Sequence, residues 1–369
     1  MGYHARRRRM GIHFLSLLSG GTMPEKVPLF LAPMAGVTDV AYRLLAREAG
    51  ADFTSTEFTA ASGLSRQDAK SWAKVETHPR ESPFIPQIFG GIEDEMVETA
   101  RLLSKNADVI DLNFGCPAPK VTKTCAGAAM MADPDNLVSM VERCMEASTV
   151  PISVKMRLGT SQGAITVLEI AERCAQIGVL RICVHGRTLS QKYRGVADWD
   201  LIRQVVEVTE PYGVPVIANG DVVDAASAAR CLEATGAAGL MIGRGAIGDP
   251  CIFGRIKSEL GWVDFDAPWG EESEAGQKHW AWNRYVELVD EIGGPYAARN
   301  MKQHAISFTK GLPGSRELRP HLHAIKDFRL IGEPLNLAFE AYSNRRHNTL
   351  AVPEAIEMAE GLKQHTFKR

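Results

Sequence analysis

The chain of 369 residues has seven cysteines, an odd number, and no Cys-x-x-Cys pair. That spacing leaves no common zinc site, and the odd count does not suit a fully paired disulfide framework. A reducing cytoplasm is the expected setting. No apolar run approaches the ~20 residues that span a bilayer, so no membrane partner is expected. An early Gly-x-Gly-x-x-Gly turn is also missing, which counts against a dinucleotide-binding open sheet. Charge of either sign has little surplus, the net being -2.

What is present is uneven. Residues 27–274 hold 23 Lys+Arg against 33 Asp+Glu, a net of -10, and residues 275–369 hold 14 against 10, a net of +4. An acidic body with a basic tail suggests that the tail meets a polyanion. The first residues stand apart. Arg6 to Arg9 precede the apolar run Met10 to Leu18 and resemble a leader peptide, but the rest does not look secreted. Residues 1–26 are therefore read as a disordered extension, with Met23 opening the compact protein.

With 45% hydrophobic residues the chain can bury a large core. Short apolar runs alternate with longer amphipathic stretches. Strands are expected at Leu29–Ala32, Phe53–Glu57, Ile85–Phe89, Val109–Asn113, Ile152–Met156, Ile182–His185, Val214–Ala218 and Gly239–Ile242. Helices are expected between them, as at Glu93–Ser104, Asp133–Ala147 and Asp224–Ala234. Eight such units indicate an α/β fold, a (β/α)8 TIM barrel over residues 27–262, with a doubly wound open sheet as the alternative. An acidic stretch, residues 263–276, reads as a linker. Residues 277–369 show helical periodicity and read as a small α-helical bundle, with helices at Trp280–Ile292, Ala297–Lys310 and Pro353–Lys363.

In parallel sheets chemistry collects beyond the carboxyl ends of strands. The run Asp111-Leu112-Asn113-Phe114-Gly115-Cys116-Pro117 puts Cys116 just past such an end, as nucleophile, metal ligand, proton donor or simply a packed thiol. Lys155 sits within a strand, where a cation is costly unless paired or used. Gln87 within the third run needs a buried partner. His185 ends the sixth strand, and Pro33-Met34 follows the first. The turns Asn219-Gly220-Asp221 and Gly243-Arg244-Gly245 follow strands seven and eight, where barrels hold phosphate on backbone N–H groups. Arg244 could add a charge-assisted bond.

These segments, with Ala32 to Asp39, Gln87 to Gly90, Asn113 to Pro117, Val154 to Arg157 and Val184 to Thr188, resemble the tRNA-dihydrouridine synthase family, nearest its bacterial B-type branch. The resemblance covers roughly residues 27 to 256 and keeps the family's motif order. It implies a barrel that binds FMN, NADPH as reductant, and a helical tail that grips tRNA. It implies FMN contacts from Pro33, Met34, Gln87, Lys155, His185, Asn219, Gly220, Asp221, Gly243 and Arg244, and Cys116 as catalytic proton donor; no metal is implied. Two departures stand out: Cys125 occupies a place where Gly is common, and Gln303 one where a basic residue is often seen.

The chemistry is consistent with those residue types. Reducing the uracil 5,6 double bond takes a hydride at C6 and a proton at C5. No side chain donates hydride, so reduced FMN would. A thiol is mostly protonated at neutral pH and suits the acid. The target base must leave its stack. Arg299, Lys302, Lys310, Arg316 and Arg319 are candidate phosphate contacts. Trp280, Trp282 and Tyr285 could stack bases, with core packing the favoured role. The alternative function is a flavin-dependent barrel reductase acting on a free pyrimidine or another small molecule.

Overall fold

The structure, a computed structural model, describes residues 27–262, 265–270, 272–293, 298–343 and 351–363. The expected extension at residues 1–26 lies outside them.

Eight parallel strand positions close into a barrel, as expected. The strands are β1 (Leu29–Leu31), β2 (Phe53–Thr54), β3 (Thr59–Ala60), β4 (Gln87–Phe89), β5 (Ile110–Phe114), β6 (Ile152–Arg157), β7 (Gly159–Ser161), β8 (Ala164–Ile165), β9 (Ile182–His185), β10 (Val216–Asn219) and β11 (Gly239–Ile242). The sheet order is β2-β1-β11-β10-β9-β6-β5-β4-β3. Its two ends, β2 and β3, are pieces of one segment, so the sheet closes on itself. Sequence reasoning expected a single strand here. The Thr56 and Thr59 hydroxyls both donate to the Glu57 carbonyl (3.0 and 3.2 Å), which competes with the ladder. Thr56 still bridges the gap: its N–H donates to Ile85 O and its Oγ1 accepts from Gln87 N, at 3.1 and 3.0 Å. The β7–β8 pair is an antiparallel hairpin outside the barrel that the sequence reading did not foresee.

Side-chain direction alternates along each strand. Leu29, Leu31, Ile110, Leu112, Val154, Val184, Leu240 and Ile242 join the layer shared with the surrounding helices. Phe30, Phe53, Ile85, Val109, Cys183, Ile217 and Met241 form a separate cluster that fills the barrel interior. Above it lies a polar layer. Asp111 accepts from Gln87 Nε2 (2.6 Å) and Ser153 Oγ, and Gln87 Oε1 accepts from Asn113 Nδ2 (2.7 Å).

The helices α1 (Val40–Glu48), α2 (Glu93–Leu103), α3 (Pro134–Ala147), α4 (Val167–Gln176), α5 (Trp199–Thr209), α6 (Ala225–Thr235) and α7 (Ile252–Glu259) connect or follow the strands. Aspartates start several of them: Asp39, Asp133, Asp198 and Asp224 each accept from an N–H in the first turn.

The tail is helical: α8 (Glu274–Ile292), α9 (Met301–Phe308), α10 (Ser315–Ala324), α11 (Gly332–Ser343) and α12 (Ala351–Leu362). The helix α8 begins three residues before the expected boundary. Within the expected linker, Phe265 and Trp269 pack so tightly on Gly254 that a Cβ there would meet them at 2.4 and 2.8 Å. Trp282 and Tyr285 are fully buried, in keeping with core packing. The tail is bonded to the barrel through Asp39, whose Oδ2 accepts from Tyr285 OH (3.2 Å) and Asn300 Nδ2 (3.0 Å) and lies 3.1 Å from His304 Nε2. Burial alone would raise the Asp39 carboxyl. His304, the Tyr42 N–H and Asn300 together outweigh it and hold the group below its usual value.

Candidate active site

Strand parity decides which side chains meet at the barrel mouth. Asn113, Lys155, Arg157, His185, Asn219 and Gly243 all lie on the inward register of their strands, at or just past the carboxyl ends. They line one cavity of about 930 Å3, together with Pro33, Met34, Cys116, Gly220, Asp221 and Arg244.

Cys116 lies on the turn after β5. Asn113 Oδ1 accepts from the N–H of both Gly115 and Cys116, each at 2.9 Å, which shapes the turn as a side-chain cap. Gly127, at φ +59, approaches from below. A Cβ there would meet Cys116 O at 2.8 Å, so only glycine lets the two loops close together. Burial raises the thiol above its ordinary pKa; the Ala118 N–H, Arg157, Lys155 and Lys120 pull the other way and are outweighed. The group at the mouth is thus a protonated thiol at neutral pH.

Lys155 is buried on the cavity floor, and its Nζ donates to Asn219 Oδ1 at 3.0 Å. Asn219 is itself fixed by donating from Nδ2 to Met241 O at 2.7 Å. Burial lowers the Lys155 pKa, partly offset by Cys183 and Asp111. His185 is driven strongly down by burial and by Lys155, Arg157, Arg187 and Arg244, so it is a neutral imidazole. Five cations line the cavity, Lys155, Arg157, Lys192, Arg244 and Lys310, against the single carboxylate of Asp221. In an acidic body this is a local positive well suited to an anion.

Two of the expected contact residues are engaged with other protein groups. Gln87 is fully buried and is not among the cavity-lining residues; its amide is engaged with Asp111 and Asn113. Asp221 reaches the cavity, but its carboxylate accepts from Arg187 Nη2 (2.8 Å), Ala197 N (2.7 Å) and Arg244 Nη2 (3.1 Å). It thereby ties Arg187 and Arg244 to each other at the cavity edge.

The tail cations also divide. Lys310 lines the cavity, as does Gln303. Arg316 is exposed. Arg299 is ion-paired to Glu57, Lys302 Nζ donates to Ile325 O at 2.8 Å, and Arg319 Nε donates to Thr309 Oγ1 at 2.9 Å. Those three hold the tail together or to the barrel. Sequence reasoning missed Asn113, Arg157 and Tyr193 as individual site residues. Asn113 and Arg157 stood inside the quoted motifs, and strand parity is the signal that could have singled them out.

The chain matches the family model described as dihydrouridine synthase (Dus) over residues 30–341. It belongs to the dihydrouridine synthase family. Among curated relatives, the probable tRNA-dihydrouridine synthase of Rhodobacter capsulatus is 40% identical over 281 residues, 75% of this chain and 84% of the relative. That of Treponema pallidum is 33% identical over 325 residues, 85% and 94% of the two chains. The tRNA-dihydrouridine synthase B of Pasteurella multocida is 32% identical over 308 residues, 83% and 91%. The dihydrouridine synthase match spans both the barrel and most of the helical tail.

Proposed function

We propose that this dihydrouridine synthase reduces the 5,6 double bond of uridine in tRNA, with FMN held across the barrel mouth and NADPH as reductant. The observation that carries the reading is one cavity lined by a protonated thiol, a buried ammonium, a cationic well and two residues of the basic tail. The curated relatives' names support tRNA as the substrate, and cytoplasmic tRNA is where the reaction would take place.

The residues fit a flavin on their own chemistry. Lys155 offers N–H groups toward the cavity beyond its one bond to Asn219. Gly243 and Gly220 leave space at the turns, where a Cβ on Gly220 would meet the His185 ring at 3.1 Å. Arg244, half-exposed beside Asp221, is placed for a phosphate. When bound and reduced, flavin would supply the hydride that no side chain can give, with NADPH as the proposed reductant. Pro33, Met34, Lys155, Asn219, Gly220, Gly243 and Arg244 would hold it. The Lys155 cation stabilises negative charge at the floor of the site. His185, neutral, hydrogen-bonds without adding charge. Cys116 Sγ gives its proton to C5 of the extruded uracil, and the resulting thiolate takes a proton back from solvent. Lys310, at the cavity, and the exposed Arg316 would contact phosphates.

The test is direct. Cys116→Ala keeps its yellow flavin and loses dihydrouridine formation on unmodified tRNA by at least about a hundredfold, the scale of general-acid catalysis. Full activity of that variant would reject the proton-donor role. Turnover of free uracil but not of tRNA would favour a small-molecule reductase; the tail's reach into the cavity counts against it.

A further inference from the structure

We infer that Arg299 and Glu57 form a positioning relay, through which the tail sets the turn at residues 34–38 of the barrel mouth, and that Arg299 acts on this turn and not on RNA. The inference rests on the reading of the cavity as a flavin-holding, uridine-reducing site and adds two positioning residues to it.

Glu57 stands in the break between β2 and β3, with its side chain buried. Its Oε2 accepts from Gly36 N at 2.9 Å. Gly36, at φ +72, is part of a tight turn in which Val37 N and Thr38 N both donate to Met34 O, at 3.1 and 3.0 Å. Pro33, Met34 and Val37 line the cavity. In the other direction Glu57 leads directly into Phe58, which also lines the cavity and packs in the cluster that holds Cys116. Glu57 thus connects the turn proposed to hold the flavin with the wall that carries the thiol.

The second oxygen of the carboxylate, Oε1, belongs to the tail. Arg299 Nη2 forms an ion pair with it, and Asn300 Nδ2 lies 3.5 Å away. Further along α9 the Gln303 amide rests against the same turn, since a Cβ on Gly36 would come within 2.9 Å of its Oε1. An exposed ion pair would be worth little. Here the Glu57 side chain is 6% exposed and that of Arg299 23%. A buried carboxylate that loses its cation is strongly penalised, so the Gly36 bond and the Arg299 pair depend on each other. The Arg299 guanidinium is therefore committed inside the protein, unlike the exposed Arg316. Transfer of a hydride between two rings is sensitive to their placement, and a shift of about 1 Å can cost roughly 100-fold. The turn touches both the proposed flavin site and the tail, so docking of the tail reaches the chemistry through it.

The experiment uses the full-length, flavin-loaded protein and unmodified tRNA. It compares Glu57→Gln, Arg299→Gln, Arg299→Lys and the double Gln variant in single-turnover formation of dihydrouridine after reduction by NADPH. Each single Gln variant keeps its flavin and is slower on the order of 10-fold at saturating tRNA. The double variant is no slower than the slower single one, because both changes act on one turn. Arg299→Lys recovers most of the rate. The flavin absorption band moves in the same direction in both Gln variants, which a brace remote from the cofactor would not cause. The tRNA gel-shift midpoint and its salt dependence stay as in wild type. An Arg299→Gln variant whose salt slope falls by about one, with an effect that adds to that of Glu57→Gln, overturns the inference and assigns Arg299 to a phosphate. Wild-type rates in both Gln variants also overturn it, as does an unmoved flavin band in slow variants, which would leave a purely structural pair. Failure of the underlying reading looks different: the wild-type protein itself then makes no dihydrouridine.

Discussion

Cys116 and Cys125 lie nine positions apart, and their surroundings give them different access to solvent. Cys116 is buried at the cavity wall, while Cys125 is exposed. Alkylation requires the thiolate, and burial holds the Cys116 pKa above 9.0, the ordinary value for a protein thiol. A raised pKa keeps the proton on at all pH values below it. We therefore expect iodoacetamide, followed by peptide mass mapping, to modify Cys125 readily at pH 8. Modification of Cys116 should rise only above pH 9 and should fall away when flavin and tRNA fill the mouth. A Cys116 that reacts with a midpoint below that of a free thiol would remove the physical basis for its role as an acid. At this scale the place of Cys116 was legible, because a Gly and a Pro ended an apolar run beside it. The surroundings of Gln87 and Asp221 were not legible. Each is decided by hydrogen-bond partners that come from other strands or loops: Asp111 and Asn113 for the first, Arg187 and Arg244 for the second.

Among the elements, the loop after β5 shows how a departure from the family pattern is accommodated. Cys125, expected to depart from the family's glycine-rich pattern, has its backbone at φ +52, the left-handed region that glycine enters freely. The geometry is kept and the side chain bears strain. Cys125→Gly is expected to stabilise the protein by up to about 1 kcal/mol, the relief of strain being partly offset by the greater freedom of glycine when unfolded. Urea denaturation measures this, and a clear loss of stability would contradict it. The second strand position makes the opposite point. Its residues read as one strand, but threonine hydroxyls turned onto the Glu57 carbonyl divide it, and the Glu57 carboxylate then receives Gly36 N at 2.9 Å and the Arg299 side chain. The carboxylate's partner Arg299 is a tail residue more than two hundred positions away, so no local pattern could show that pairing.

For the whole molecule, the main issue is how the tail is held over the mouth. Asp39 caps α1 through Tyr42 N at 2.9 Å and also serves Tyr285, Asn300 and His304 of the tail. Gly248 allows the loop after β11 to touch α9, since a Cβ there would come within 2.1 Å of Ser307 O. Removing the carboxylate strands several buried donors at once. Asp39→Ala is expected to cost on the order of 2–4 kcal/mol in urea denaturation. On the proposed function it should also weaken dihydrouridine formation on tRNA while flavin stays bound, because the proposed flavin contacts lie in the barrel and most of the proposed tRNA contacts in the tail. Equal loss of flavin and of tRNA activity would show that the two parts do not separate in this way.

The sequence alone determined the barrel, because eight apolar runs separated by amphipathic stretches have few other ways to bury their surface. It also determined that Cys116, Lys155 and the two glycine turns would gather at one rim, because strand ends in such a barrel share a face. Only the tertiary structure decided which polar residues face the cavity and which support them from beneath. Closing the sheet sets the inward register of every strand at once, and polar groups such as Gln87, Asp221 and Arg157 take their partners from distant parts of the chain.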